Sequence, residues 1–215
     1  MDPAPSEMMR RIRNLAVSLA FTLGLGLTQT GAEEKSATGT VRQVRQLYGK
    51  IRAQEPLSVS KLPFHVAKGP MEGQAIRYDY EDGLLAVAIT HAGGEHGAAE
   101  EHFYYQDGRI FFILVKESHW VFTGEQGSDG LPETKGTLTE FRYYVNGKGE
   151  CVQALRKQVE SIKQVRLDEL IEHQPNENIE PGPHFKRALQ KGKGLFLAET
   201  SREVSRFLEI FYFGD

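Results

Sequence analysis

Residues 101–109 read EHFYYQDGR, and residues 140–148 read EFRYYVNGK. Both fit Glu-x-x-Tyr-Tyr-x-[Asp/Asn]-Gly-[Arg/Lys], and residues 78–83, YDYEDG, share the closing Tyr-x-Asp-Gly. An Asp-Gly or Asn-Gly pair between β-prone runs marks a two-residue hairpin, because both central positions take positive φ. The corners at Asp82-Gly83, Asp107-Gly108 and Asn146-Gly147 therefore predict successive hairpins in one antiparallel β-meander of about six strands. Gly83, Gly108 and Gly147 are unevenly spaced, which argues against a solenoid repeat. Two-residue turns would set Tyr80 opposite Leu85, Tyr78 opposite Val87, Tyr105 opposite Ile110, Phe103 opposite Phe112 and Phe141 opposite Val152. Residues 109–115, RIFFILV, are apolar at both parities and read as a central strand, and residues 124–136, GEQGSDGLPETKG, read as a loop.

Helices flank this core in the sequence. Val41, Val44, Tyr48 and Ile51 recur at helical spacing, so residues 40–54 predict a helix capped by Thr40 and stopped by Pro56. Its Arg42, Arg45, Lys50 and Arg52 lie off the apolar stripe, as a solvated basic face or as a contact for acidic lipid headgroups. Residues 158–173 and 185–197 also read as helices. Residues 203–213 fit either a helical continuation or a last strand. A half-apolar sheet needs cover, and an N-terminal and a C-terminal helix over one face give an α+β architecture.

Ahead of the core, Arg10, Arg11 and Arg13 precede an uncharged apolar run at 15–27, LAVSLAFTLGLGL, and a small-residue exit at 28–32, TQTGA. This order predicts a cleaved signal peptide over 1–32, with the cut after Ala32. The run falls short of the about 20 residues that a bilayer-spanning helix needs. Residues 33–215 are then expected to be a single α+β domain, with the sheet over 62–157 and a helical region over 158–215. The expected location is the periplasm or the extracellular space. No second long apolar run follows, so the mature part is expected to lack a transmembrane span. A net charge of −3 supplies no electrostatic footprint for nucleic acid. The single cysteine, Cys151, cannot close an internal disulfide and reads as a buried strand thiol.

Two stretches carry candidate chemistry. Residues 91–102, HAGGEHGAAEEH, hold His91, His96, Glu101 and His102, whose imidazole and carboxylate donors suit zinc or another divalent ion. The spacing matches no established metal motif, and the same stretch reads as a solvated Gly-rich loop. The second resource is aromatic. Side chains alternate along a strand, so one of Tyr104 and Tyr105, and one of Tyr143 and Tyr144, is expected on an outer face, where Trp120 would join them as a recognition surface. Nucleophile-elbow, phosphate-loop and dinucleotide-fold signatures are absent from the sequence. The expectation is a non-enzymatic exported module, without a cofactor, that binds a protein or carbohydrate through its sheet. A metal-dependent protein centred on residues 91–102 is the alternative.

Overall fold

A computed structural model describes residues 30–69, 71–92, 96–127, 130–162 and 166–214. The basic start and the apolar run of the expected signal peptide lie outside the described residues. Glu34–Asp215 make up one compact unit. Its sheet comprises β1 (Ser58–Val66), β2 (Met71–Asp79), β3 (Leu84–Ala92), β4 (Gly97–Gln106), β5 (Arg109–Gln126), β6 (Pro132–Val145), β7 (Cys151–Ile162) and β8 (Glu177–Asn178). All neighbours are antiparallel and follow chain order, β1 to β8, so the meander is as expected but has eight strands rather than six. The two further strands are the edge strands β1 and β8, and the stretch read as a loop is strand at both ends. β5 runs out to Gln126 and β6 begins at Pro132, and the chain reverses between them through Gly130 at φ 77°. The expected helix over 158–173 is likewise corrected. β7 continues to Ile162, and only Leu167–Glu172 (α2) is helical.

The corners behave unequally. Asp107 and Gly108 take φ 49° and 75°, and Tyr105 faces Ile110 as the two-residue turn requires. A bulge beyond Tyr105 then shifts the ladder, so Phe103 meets Ile113 instead of Phe112. Asp82 and Gly83 also have positive φ, but Tyr80 N–H donates to Leu84 O and slips the register by one. Tyr78 consequently faces Ala86 and not Val87. At the third corner Gly149, not Gly147, takes the left-handed conformation, with φ 83°. The Asn146 side chain accepts hydrogen bonds from the Lys148 and Glu150 N–H groups, an Asx-type closure that widens the turn. Phe141 therefore faces Arg156 rather than Val152.

The central strands are apolar at both parities, so both sheet faces must be covered, and this corrects the expectation of helices on one face. The first face carries Val87, Ile89, Phe103, Tyr105, Ile113, Val115 and Tyr143. Packed on it are α3 (Pro183–Phe196), through Phe185, Ala188 and Leu195, and α4 (Ser201–Phe213), through Val204 and Leu208. Pro183 opens α3, where its missing N–H costs nothing. Thr200 and Glu203 form a capping box at the start of α4, which settles 203–213 as helix. The second face carries Leu84, Ala86, Tyr104, Phe112, Tyr144 and Leu155. α1 (Thr30–Ala53) lies on it through Val44 and Ile51, and buried Ile171 belongs to α2, which packs on β6 and β7. At the β1 edge, Lys61 and Pro63 interrupt an otherwise pairing-competent strand.

Candidate binding cleft

The first face holds a network of ionisable groups. Lys191 of α3 donates to both Glu101 oxygens, at 2.8 and 2.7 Å, and also to the Tyr212 hydroxyl of α4. The Lys191 and Glu101 side chains are 4% and 7% exposed. Beside them, Glu117 Oε1 lies 3.1 Å from His184 Nε2, and His184 Nδ1 lies 2.7 Å from the Tyr143 hydroxyl. A carboxylate only accepts, so in the neutral ring Nε2 carries the proton and Nδ1 accepts from Tyr143. The hydrogen bond from His184 holds the Glu117 carboxyl below its usual range, and burial pushes the Tyr143 hydroxyl up. These groups bond one another beneath α3 and tie the helix to the sheet.

The residues singled out as metal donors are dispersed. Glu101 points to the first face and is engaged by Lys191. His102 points to the second, where its ring lies 6.2 Å from Tyr104 and its Nε2 lies 2.6 Å from Glu100 Oε1. Adjacent strand positions face opposite ways, so these two cannot ligate one ion. His91 is buried on the first face, 6.3 Å from the Tyr212 ring. His96 lies against Trp120, with ring centroids 4.1 Å apart. Among the described residues no three His, Cys, Asp or Glu side chains come together as a metal cage.

The tyrosine doublets are buried at both parities: Tyr105 and Tyr143 under α3, Tyr104 and Tyr144 on the face carrying α1. The expected exposed row of tyrosines is therefore absent, because each face has its own helical cover. Trp120 is half-buried on the outer reach of β5 with Phe122, which is 58% exposed.

One opening lies on the second face beside α1, and a larger one runs from α1 to the β7–β8 edge of the sheet. One cavity of about 330 Å³ has Phe112, Leu114, Tyr144 and Leu155 as its floor, Val44, Arg45 and Tyr48 of α1 along one side, and Arg142 and Asn176 along the rest. A second, of about 590 Å³, extends from Arg45 past Val41 and Ala37 to Cys151, Gln153 and the 178–181 segment. Arg45 lines both. The volumes are those of small-molecule sites. Tyr48 packs edge-on to Tyr104 and tilted against Phe112, with ring centroids 5.2 Å away in each case. Arg45 lies over the Tyr144 ring at 5.7 Å. Arg142 is anchored by Glu140, which is itself buried, at 2.7 Å. The amide oxygen of Gln153 is buried without a hydrogen-bond partner among the described residues. Burial pushes the Cys151 thiol up to about 11, so near neutral pH it stays protonated and is a poor nucleophile.

Comparison with protein-family models, curated proteins and solved structures finds no match to this chain. The functional reading rests on the geometry above. Of the residues that the sequence puts forward as site residues, only Tyr144 lines either cavity; Arg45 stands out in the sequence solely as one cation of α1's basic face, and Arg142 carries no motif. The usable signal was the basic α1 face read together with the paired apolar parities of β5 and β6.

Proposed function

We propose that this chain is an exported, non-catalytic binding module whose site is the cleft between α1 and the second face of the sheet. The observation that carries this reading is the cavity floored by Phe112, Leu114, Tyr144 and Leu155 and bordered by Arg45 and Arg142. Concave apolar walls with a few convergent polar groups are the usual form of a small-molecule site. Export rests on the Arg10–Ala32 pattern and is tested by N-terminal sequencing of the protein recovered from an expressing host, with a start at Glu33 expected.

Amide chemical-shift mapping tests the site. A mixture of apolar-tailed small molecules is added to the isotopically labelled chain. Shifts concentrated at Val44, Tyr48, Leu114, Tyr144 and Leu155 support the reading. Shifts concentrated on α3 and α4, or none at all, refute it.

A further inference from the structure

We propose that the ligand of this cleft is an amphipathic carboxylate, its tail on the floor of the smaller cavity and its head against Arg45; this rests on the reading of the cleft as the binding site. The argument is charge complementarity on an apolar floor. Leu114, Leu155 and the Phe112 and Tyr144 rings supply a surface that a hydrocarbon or aryl tail would dehydrate. The polar lining of the smaller cavity is Arg45, Arg142 and Asn176, with no carboxylate among them, whereas Glu180 lines the larger cavity with Arg45. Glu140 anchors the Arg142 guanidinium, so that cation is held in place beside the floor. Arg45 sits over the Tyr144 ring, and among the described residues no carboxylate pairs with it. It is thus the cation at the junction of the two cavities that lacks an anionic partner, and a planar guanidinium fits a carboxylate through two parallel hydrogen bonds. Arg42 and Arg52 on the same helix add positive potential, which favours an anion over a cation at this entrance, while Lys50 is offset by Asp82, 4.0 Å away. A neutral head would gain nothing from this potential, and a cationic head would be repelled by it.

Titration calorimetry with decanoate, decan-1-ol and decyltrimethylammonium separates head from tail at constant chain length. Decanoate is expected to bind most tightly, with an affinity that falls as salt is raised. Arg45→Gln is expected to weaken decanoate by about tenfold or more, the loss of the charge-assisted pair, and to weaken decan-1-ol far less. Arg45 is exposed, so this substitution spares the core, and an unchanged melting temperature checks that. Equal binding of decanoate and decan-1-ol, or equal decanoate binding by the variant, overturns the carboxylate assignment while leaving the cleft as the site. Failure of all three probes, together with absence of shifts around Tyr144, overturns the cleft reading itself.

Discussion

Lys191 Nζ on α3 sits 2.7 Å from Glu101 Oε2 on β4, and both side chains are almost fully buried. A buried ion pair gains strong Coulomb attraction but loses hydration of both charges, so replacing the pair by apolar groups can be neutral. Removing one member is different, because the other is left charged and dry. Lys191→Met is therefore expected to destabilise the chain by about 3–5 kcal/mol in urea unfolding, and the double variant Glu101→Leu/Lys191→Met by clearly less. Equal losses for the single and double variants would show that packing, not charge, joins α3 to the sheet.

Gly192 lies one residue further along α3, where the helix is held directly against the sheet. The Tyr105 hydroxyl donates to its carbonyl at 2.8 Å, and an added Cβ would fall 2.5 Å from Phe103 Cδ1 and 2.8 Å from Ile110 Cδ1. Gly192→Ala would gain about 1 kcal/mol of helix propensity but overpack the interface at a cost of roughly 1–3 kcal/mol. A net loss of stability is expected. Gly49 on α1 has nothing within 4 Å of the same position, so Gly49→Ala is expected to raise stability by up to about 1 kcal/mol. Matched thermal melts of the two variants separate contact from propensity.

The turn glycines show how far local sequence reaches. Asp82-Gly83 and Asp107-Gly108 adopt the left-handed pair that their dipeptides demand, and antiparallel order follows from them. Register does not follow. The bulge beyond Tyr105 and the closure at Tyr80 depend on how flanking residues pack across strands. Nor does facial cover follow from periodicity, since a strand apolar at both parities, such as residues 109–115, needs two helical layers but does not say which helices supply them. The cleft was illegible for the same reason: Arg45 and Arg142 are nearly a hundred residues apart, and only the packing of α1 on β6 brings them to one cavity.

At the third corner this difference becomes a measurable one. The dipeptide Asn146-Gly147 points to Gly147 as the residue needing positive φ, whereas Gly149 adopts it. A left-handed non-glycine residue costs about 1–2 kcal/mol, so Gly149→Ala should be destabilised by that order and Gly147→Ala should be near neutral. The reverse ranking in chemical denaturation would mean that the corner is a two-residue turn after all. Phe141 would then pair as the simple register expects.

Alkaline stability follows from the tyrosines. Of the eight tyrosines, Tyr80, Tyr104, Tyr105, Tyr143 and Tyr212 have hydroxyl pKa values raised above 10.0, each chiefly by burial. Their neutral forms are favoured in the folded chain. Below the unfolded value of 10.0 both states bind the proton and that stabilisation is fully present. Above it the unfolded chain releases protons that the folded chain keeps, so stability falls with each further rise in pH. The buried tyrosines are expected to stay dark in tyrosinate absorbance until the chain unfolds, and then to ionise together with the loss of β-sheet circular dichroism. A gradual titration of all the tyrosines with the sheet signal intact would show that water reaches Tyr105 and Tyr143, and that α3 does not seal the first face.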